Sequence, residues 1–155
     1  MDKIDNQILI ELQKDGRLTN SELAERVNLS PSPCLRRLRQ LERDRVILGY
    51  RAVLNRHALG LGFTVFVSVV MEQESRDTIS KFEQEINGLP QITEAYRLFG
   101  DPDYMLRVDI SDIGAYERFY TDVLIDLPGV ATLTSHMPMK AVKEPRGLPL
   151  DGPEG

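Results

Sequence analysis

A chain of 155 residues, 41% hydrophobic and 28% charged, has the composition of a soluble globular protein with one ordinary domain or two very small ones. No apolar run reaches the length of a membrane span, and the charged opening MDKIDNQILIELQKDG excludes a signal peptide, so a cytoplasmic protein with no membrane partner is expected. The net charge of −5 conceals an asymmetry: residues 1–56 hold 11 Lys and Arg against 8 Asp and Glu, while residues 57–155 hold 8 against 16. Charges act locally, being screened beyond about 10 Å, so the cluster Arg36, Arg37, Arg39, Arg43 and Arg45 outweighs the total.

Three amphipathic helices are predicted in a first domain, residues 1–48. The first runs from about Asp2 to Asp15, with Ile4, Ile8, Leu9 and Leu12 on one stripe, and Gly16 supplies a left-handed stop. Thr19 and Glu22 form a capping box, so a short second helix begins there and turns Leu23, Ala24 and Val27 inward. After the turn Asn28-Leu29-Ser30, Ser30 is expected to cap a third helix. Pro31 takes its first position, where a missing N–H costs nothing.

The third helix turns Cys34, Leu35, Leu38 and Leu41 toward a core. Its opposite arc carries Ser32, Pro33, Arg36, Gln40 and Arg43, with Arg37 and Arg39 on the flanks. Arginine bridges guanine O6 and N7, glutamine pairs with adenine, and flanking arginines hold phosphates. An isolated arginine run is as readily a solvated helix face. Here it follows a capped short helix and a tight turn, the spacing of a helix-turn-helix that reads duplex DNA. The expected DNA contacts are Thr19, Asn20, Ser32, Pro33, Arg36, Arg37, Arg39 and Gln40.

Residues 46–55, VILGYRAVLN, alternate apolar and polar, which predicts strand pairing as a wing or a connector within a linker, residues 49–61. Arg51 and Arg56 would reach phosphate from it, or serve structure alone. A second domain, residues 62–143, opens with a strand over Phe63–Met71 and a helix from Ser75 to Leu89. Strands over Ile92–Phe99 and Tyr104–Ile110 flank the turn Gly100-Asp101-Pro102-Asp103. Asp112 caps a helix carrying Tyr116, Phe119, Tyr120, Val123 and Leu124, and Val130–Val142 is read as the last strand. The fold class is therefore α+β: a three-helix, winged-helix-like helix-turn-helix followed by a βαββαβ ferredoxin-like domain. Helices cover one sheet face only. Phe66 and Val70 make the open face apolar, which calls for a second subunit and at least a dimer. The Pro- and Gly-rich tail, residues 144–155, is expected to be loose.

Five stretches in order carry a resemblance to a known family: DxxDxxILxxLQxDGR at 2–17, LSPSPCLRRLRQLE at 29–42, GYRAVLN at 49–55, FGDPDYMLRV at 99–108 and LPGV at 127–130. Together they span nearly the whole chain, which resembles the Lrp/AsnC family of feast/famine transcription regulators. The resemblance implies a nucleoid-associated regulator, dimers that assemble into higher rings, often octamers, and an amino acid or related small metabolite held between dimers. It places the effector at Gly100, Asp101, Asp103 and Tyr104, with Ile113, Ser135, His136 and Met137. Asp103 would meet an ammonium group and the Gly-containing turn a carboxylate, although Pro102 offers no N–H. A plain hairpin with Asp103 as a local cap is the alternative. Leucine-responsive members carry Tyr and Val where this chain has His136 and Met137, so leucine is not implied as the effector. His136 is either an effector contact or a satisfied core residue, and His57 belongs to the linker. Lacking the basic N-terminal extension of some relatives, the chain is expected to bind non-specific DNA less strongly.

Two other classes compete. An enzyme has little to build on: one cysteine, placed on the apolar arc at Cys34, two histidines, no phosphate loop, and no spacing for a metal or other cofactor. An architectural DNA-binding protein without small-molecule sensing would share the N-terminal half. Response to amino acids separates it from a regulator.

Overall fold

The computed structural model describes residues 1–72, 75–143, 145 and 147–150. The chain forms two compact units, Met1–Val53 with Lys143–Gly155, and Leu54–Val142. The break thus falls inside the expected linker, and the end of the chain groups with the helical unit.

In the helical unit, α1 spans Lys3–Lys14. The Asp2 carboxylate accepts the N–H groups of Ile4 and Asp5, and the Asp5 carboxylate accepts that of Asp2, closing a capping box. The expected Thr19–Glu22 box starts α2, Asn20–Arg26. Asn28 takes a left-handed φ of 54°, which asparagine tolerates better than most residues, and this turns the chain into α3, Pro31–Arg43. Ser30 occupies the cap position but its side chain makes no capping bond, a correction to the expected cap. Ile8, Leu23, Ala24, Val27, Cys34 and Leu41 form the buried core, with Leu38 packed against it. Leu35 is only partly buried.

The alternation in residues 46–55 does not produce a strand. The N–H groups of Val46 and Ile47 both fold back to the Leu41 carbonyl, at 3.0 and 3.1 Å, and Leu48 and Val53 lie exposed. Strand-like patterning without a neighbouring strand leaves the ladder unfilled.

The second unit is a four-stranded antiparallel sheet in the order β2-β3-β1-β4, formed by β1 (Phe63–Met71), β2 (Ile92–Arg97), β3 (Tyr104–Ile110) and β4 (Val130–His136). This is the ferredoxin-like arrangement. Helices α4 (Arg76–Gly88) and α5 (Ile113–Asp122) lie on one face, where Phe82, Ile86, Tyr116 and Phe119 meet Val65, Val67 and Val69 of β1 and Leu106 and Val108 of β3. Strict alternation along β1 buries these valines and leaves Phe66, Ser68 and Val70 half-buried on the other face. Helix α5 gives way to a 3₁₀ turn at Leu124–Asp126, and β4 ends at His136, short of the expected Val142. Pro138 has no N–H to continue the ladder.

Candidate functional site

On α3, Ser32, Arg36, Arg39 and Gln40 are exposed and Pro33 half-buried, opposite the core face defined by Cys34 and Leu41. Arg36 and Arg39 have no protein partner among the described residues, so their guanidinium groups are available to a ligand. Gln40 sits in a ladder along the helix, donating to Asp44 at 2.7 Å and accepting from Arg43 at 2.6 Å. These exposed bonds exchange readily with water.

Three of the expected contacts are engaged within the unit. Arg37 donates to Asp2 at 2.7 Å and to Asp5 at 2.8 Å, which ties α3 to the first turn of α1. Bonds from the Asp5 N–H and from Arg37 hold the Asp2 carboxyl below its ordinary value, and the two carboxylates raise Arg37 in turn. Thr19 hydrogen-bonds Glu22 in its box, and the Asn20 amide donates to the Pro31 carbonyl at 2.9 Å, pinning α2 to the start of α3. Arg56, a possible phosphate contact, instead pairs with Asp109 at 3.1 Å.

The eight expected effector residues do not converge in one chain. Gly100, Asp101 and Asp103 lie in the loop before β3, where Gly100 has a φ of +106° that favours glycine. Ile113 follows the far end of β3, about 20 Å away at the usual strand rise. Asp103 accepts the Met71 N–H at 2.7 Å, so one of its oxygens serves as the local cap. Tyr104 is a core residue. It is 2% exposed, packs against Phe82 with centroids 4.7 Å apart and the rings tilted by 49°, and donates to Glu83 at 2.9 Å; burial first, then Glu83, push its hydroxyl up to about 12. Ser135 and His136 point to opposite faces. Ser135 meets the Tyr116 hydroxyl at 2.6 Å beneath α5, whereas His136 is exposed on the open face with Nε2 3.0 Å from the Ser68 hydroxyl. Met137 is half exposed just beyond the strand.

The open face also carries a polar cluster around Asp109, which is 5% exposed. Its carboxylate accepts from Thr64 at 2.6 Å, Thr93 at 2.5 Å, Arg56 at 3.1 Å and Arg107 at 3.1 Å. Arg107 in turn lies 5.8 Å from the centre of the Phe66 ring.

A winged helix-turn-helix DNA-binding model matches residues 1–47, and the model of the Lrp/AsnC ligand binding domain matches residues 64–148. The chain belongs to the Lrp/AsnC family. Leucine-responsive regulatory proteins of Klebsiella pneumoniae and Escherichia coli are each 41% identical to it over 148 residues, covering 96% of this chain and 90% of theirs. A transcriptional regulator from Neisseria meningitidis, solved as its L-Met complex, superposes with a TM-score of 0.92 at 38% identity, covering 96% of both chains. An AsnC family transcriptional regulator from Agrobacterium tumefaciens gives 0.91 at 36%, covering 96% of this chain and 97% of that one.

As an Lrp/AsnC member, the chain is a transcription regulator with a DNA-binding and a ligand-binding unit. Sequence reading missed the Asp109 cluster. The signal was present: Arg107 and Asp109 are two apart on a strand, so opposite charges share one face. Thr64, Thr93 and Arg56 join them only through register and loop path.

Proposed function

We propose that this regulator reads duplex DNA with the exposed arc of α3 and responds to an amino acid bound where two subunits meet. The observation that carries the DNA half is the division of α3 into a core face and an open face on which Arg36 and Arg39 stand unpartnered. Arg36 and Gln40 read base edges; Arg39, with Ser32, holds the backbone. Arg37 acts by fixing α3 on α1.

The effector half rests on the separation along β3. One chain presents Asp103 at one end and Ile113 and Met137 toward the other, so a ligand small enough to be an amino acid touches both groups only if a second copy completes the pocket. Pairing through the open face, where Phe66, Met105 and Val70 are half-buried, gives the dimer, and assembly of dimers gives the larger ring. L-methionine and L-leucine are the first ligands to test, given the names of the relatives. The protein acts in the cytoplasm on the nucleoid and performs no catalysis.

Selection of an operator from random DNA, followed by thermal unfolding with a panel of amino acids, tests the proposal. A ligand at 100 times its dissociation constant stabilises by about 2.7 kcal/mol. No enriched operator removes the DNA reading. Silence from the whole panel removes the effector and leaves an architectural protein.

A further inference from the structure

Helices α2 and α3 end in the same hydrogen-bond pattern. After α2, the Leu29 N–H reaches the Ala24 carbonyl at 2.8 Å and the Asn28 N–H reaches the Glu25 carbonyl at 3.2 Å. After α3, the Val46 N–H reaches the Leu41 carbonyl at 3.0 Å and the Arg45 N–H reaches the Glu42 carbonyl at 3.1 Å. Each arrangement satisfies carbonyls that the helix leaves open, and each needs a left-handed residue at its centre. Glycine is the usual choice there, and asparagine is tolerated. Asn28 follows that rule with a φ of 54°. Arg45 breaks it: its φ is 59°, and a Cβ in that conformation crowds the following carbonyl oxygen.

The Arg45 side chain does nothing within the fold to offset this strain. It is exposed and, among the described residues, has no ion pair and no hydrogen-bond partner. The negative end of the α3 dipole favours a cation only weakly in water, and Arg43 in the last turn already supplies one. What Arg45 does extend is the set of exposed arginines Arg36, Arg39 and Arg43. Helix α3, with 13 residues, is about 20 Å long, whereas the major groove is about 12 Å wide. A helix seated in the groove by Arg36 and Gln40 therefore carries its C-terminal end past the base edges, toward the phosphates that wall the groove.

We infer that Arg45 is a phosphate contact, kept exposed by the left-handed end of α3 at a cost in backbone strain. It adds affinity for duplex DNA of any sequence and no choice among sequences. This rests on the DNA reading above, which gave Arg45 no part, and places a contact beyond the base-reading arc.

The test uses the full chain and the variants Arg45→Gly and Arg45→Lys. Binding to the selected operator and to random duplex is measured across a salt series, and thermal unfolding is followed without DNA. Arg45→Gly is expected to weaken both DNAs alike, about three- to tenfold at fixed salt, and to flatten the slope of log K against log salt by about 0.9 for each Arg45 on the DNA. Its thermal midpoint should equal or exceed the parental one, because glycine relieves the left-handed backbone. Arg45→Lys, as strained and still charged, should keep the parental slope. Parental affinity and slope in Arg45→Gly, a loss confined to the operator, or the glycine-like slope in Arg45→Lys overturns the phosphate contact. A lowered midpoint in Arg45→Gly overturns it too, by making Arg45 a structural residue of the helix end. If no operator is enriched, random duplex alone carries the salt series and decides the contact. A parent that binds neither DNA sinks the DNA reading and the contact together; a parent that binds, unchanged by Arg45→Gly, sinks the contact alone.

Discussion

The helical unit and the sheet unit expose their candidate functional groups in different ways. In the former, Arg36, Arg39 and Gln40 lie within about one turn of α3, and the residues behind them form a finished core. In the latter, the residues expected to bind a ligand are divided between the two ends of β3 and the two faces of β4, and several already serve the fold: Tyr104 in the core, Ser135 on Tyr116, one oxygen of Asp103 on Met71. A helix face is a complete reader by itself. A sheet edge becomes a pocket only when something closes over it, and the proposed function gives that part to a second subunit.

The largest expected effect tests the independence of the two units. Phe82→Ala empties a fully buried site and should destabilise the sheet unit by about 3–5 kcal/mol, with the unfolding of the helical unit unmoved in calorimetry. A single shared transition would break the comparison. Asp109→Ala comes next: it strands Arg107 and two threonine hydroxyls on the open face and should cost about 3 kcal/mol by denaturant titration. A loss within error of zero would mean that the cluster is solvated.

On the helical side, Arg36→Ala should weaken the selected operator by about 1–3 kcal/mol more than random DNA, whereas Arg37→Ala should weaken both alike because it loosens α3 as a whole. Equal losses for Arg36 would make it a phosphate contact. The smallest effects are in the pH limbs. The Tyr104 phenol is raised in the folded state to about 12, so its contribution is complete below the ordinary value near 10 and is lost as pH rises from there through about 12. Asp2 is depressed, so its contribution is present above 3.8 and is lost as pH falls through its lower folded value. Tyr104→Phe should reduce the alkaline loss of the sheet unit alone, and Asp2→Asn the acid loss of the helical unit alone, followed by circular dichroism and calorimetry against pH.

Caps and periodicity made α1, α2 and the strand over Phe63–Met71 legible, because Asp2, Thr19 and the alternating valines act on neighbours in the chain. The 46–55 segment misled for the same reason. Its alternation is a local feature, but pairing needs a second strand, and none lies beside it among the described residues. Arg37 and Arg39 were indistinguishable as flanking arginines until the fold brought Asp2 and Asp5 to one of them. The end of the chain, expected to be loose from its prolines and glycines, touches α1 at Leu148; Glu144, Arg146 and residues 151–155 lie outside the described residues.

What the sequence determined by itself was the helices and the four strands of the sheet in their order along the chain, and the two faces of α3, all consequences of interactions between residues a few positions apart. Tertiary structure decided which polar and charged groups remain available, since partners such as Arg56 and Asp109, or Gln13 and Leu148, are separated by dozens of residues or more. No periodicity records such a pairing; it exists only once the chain has closed on itself.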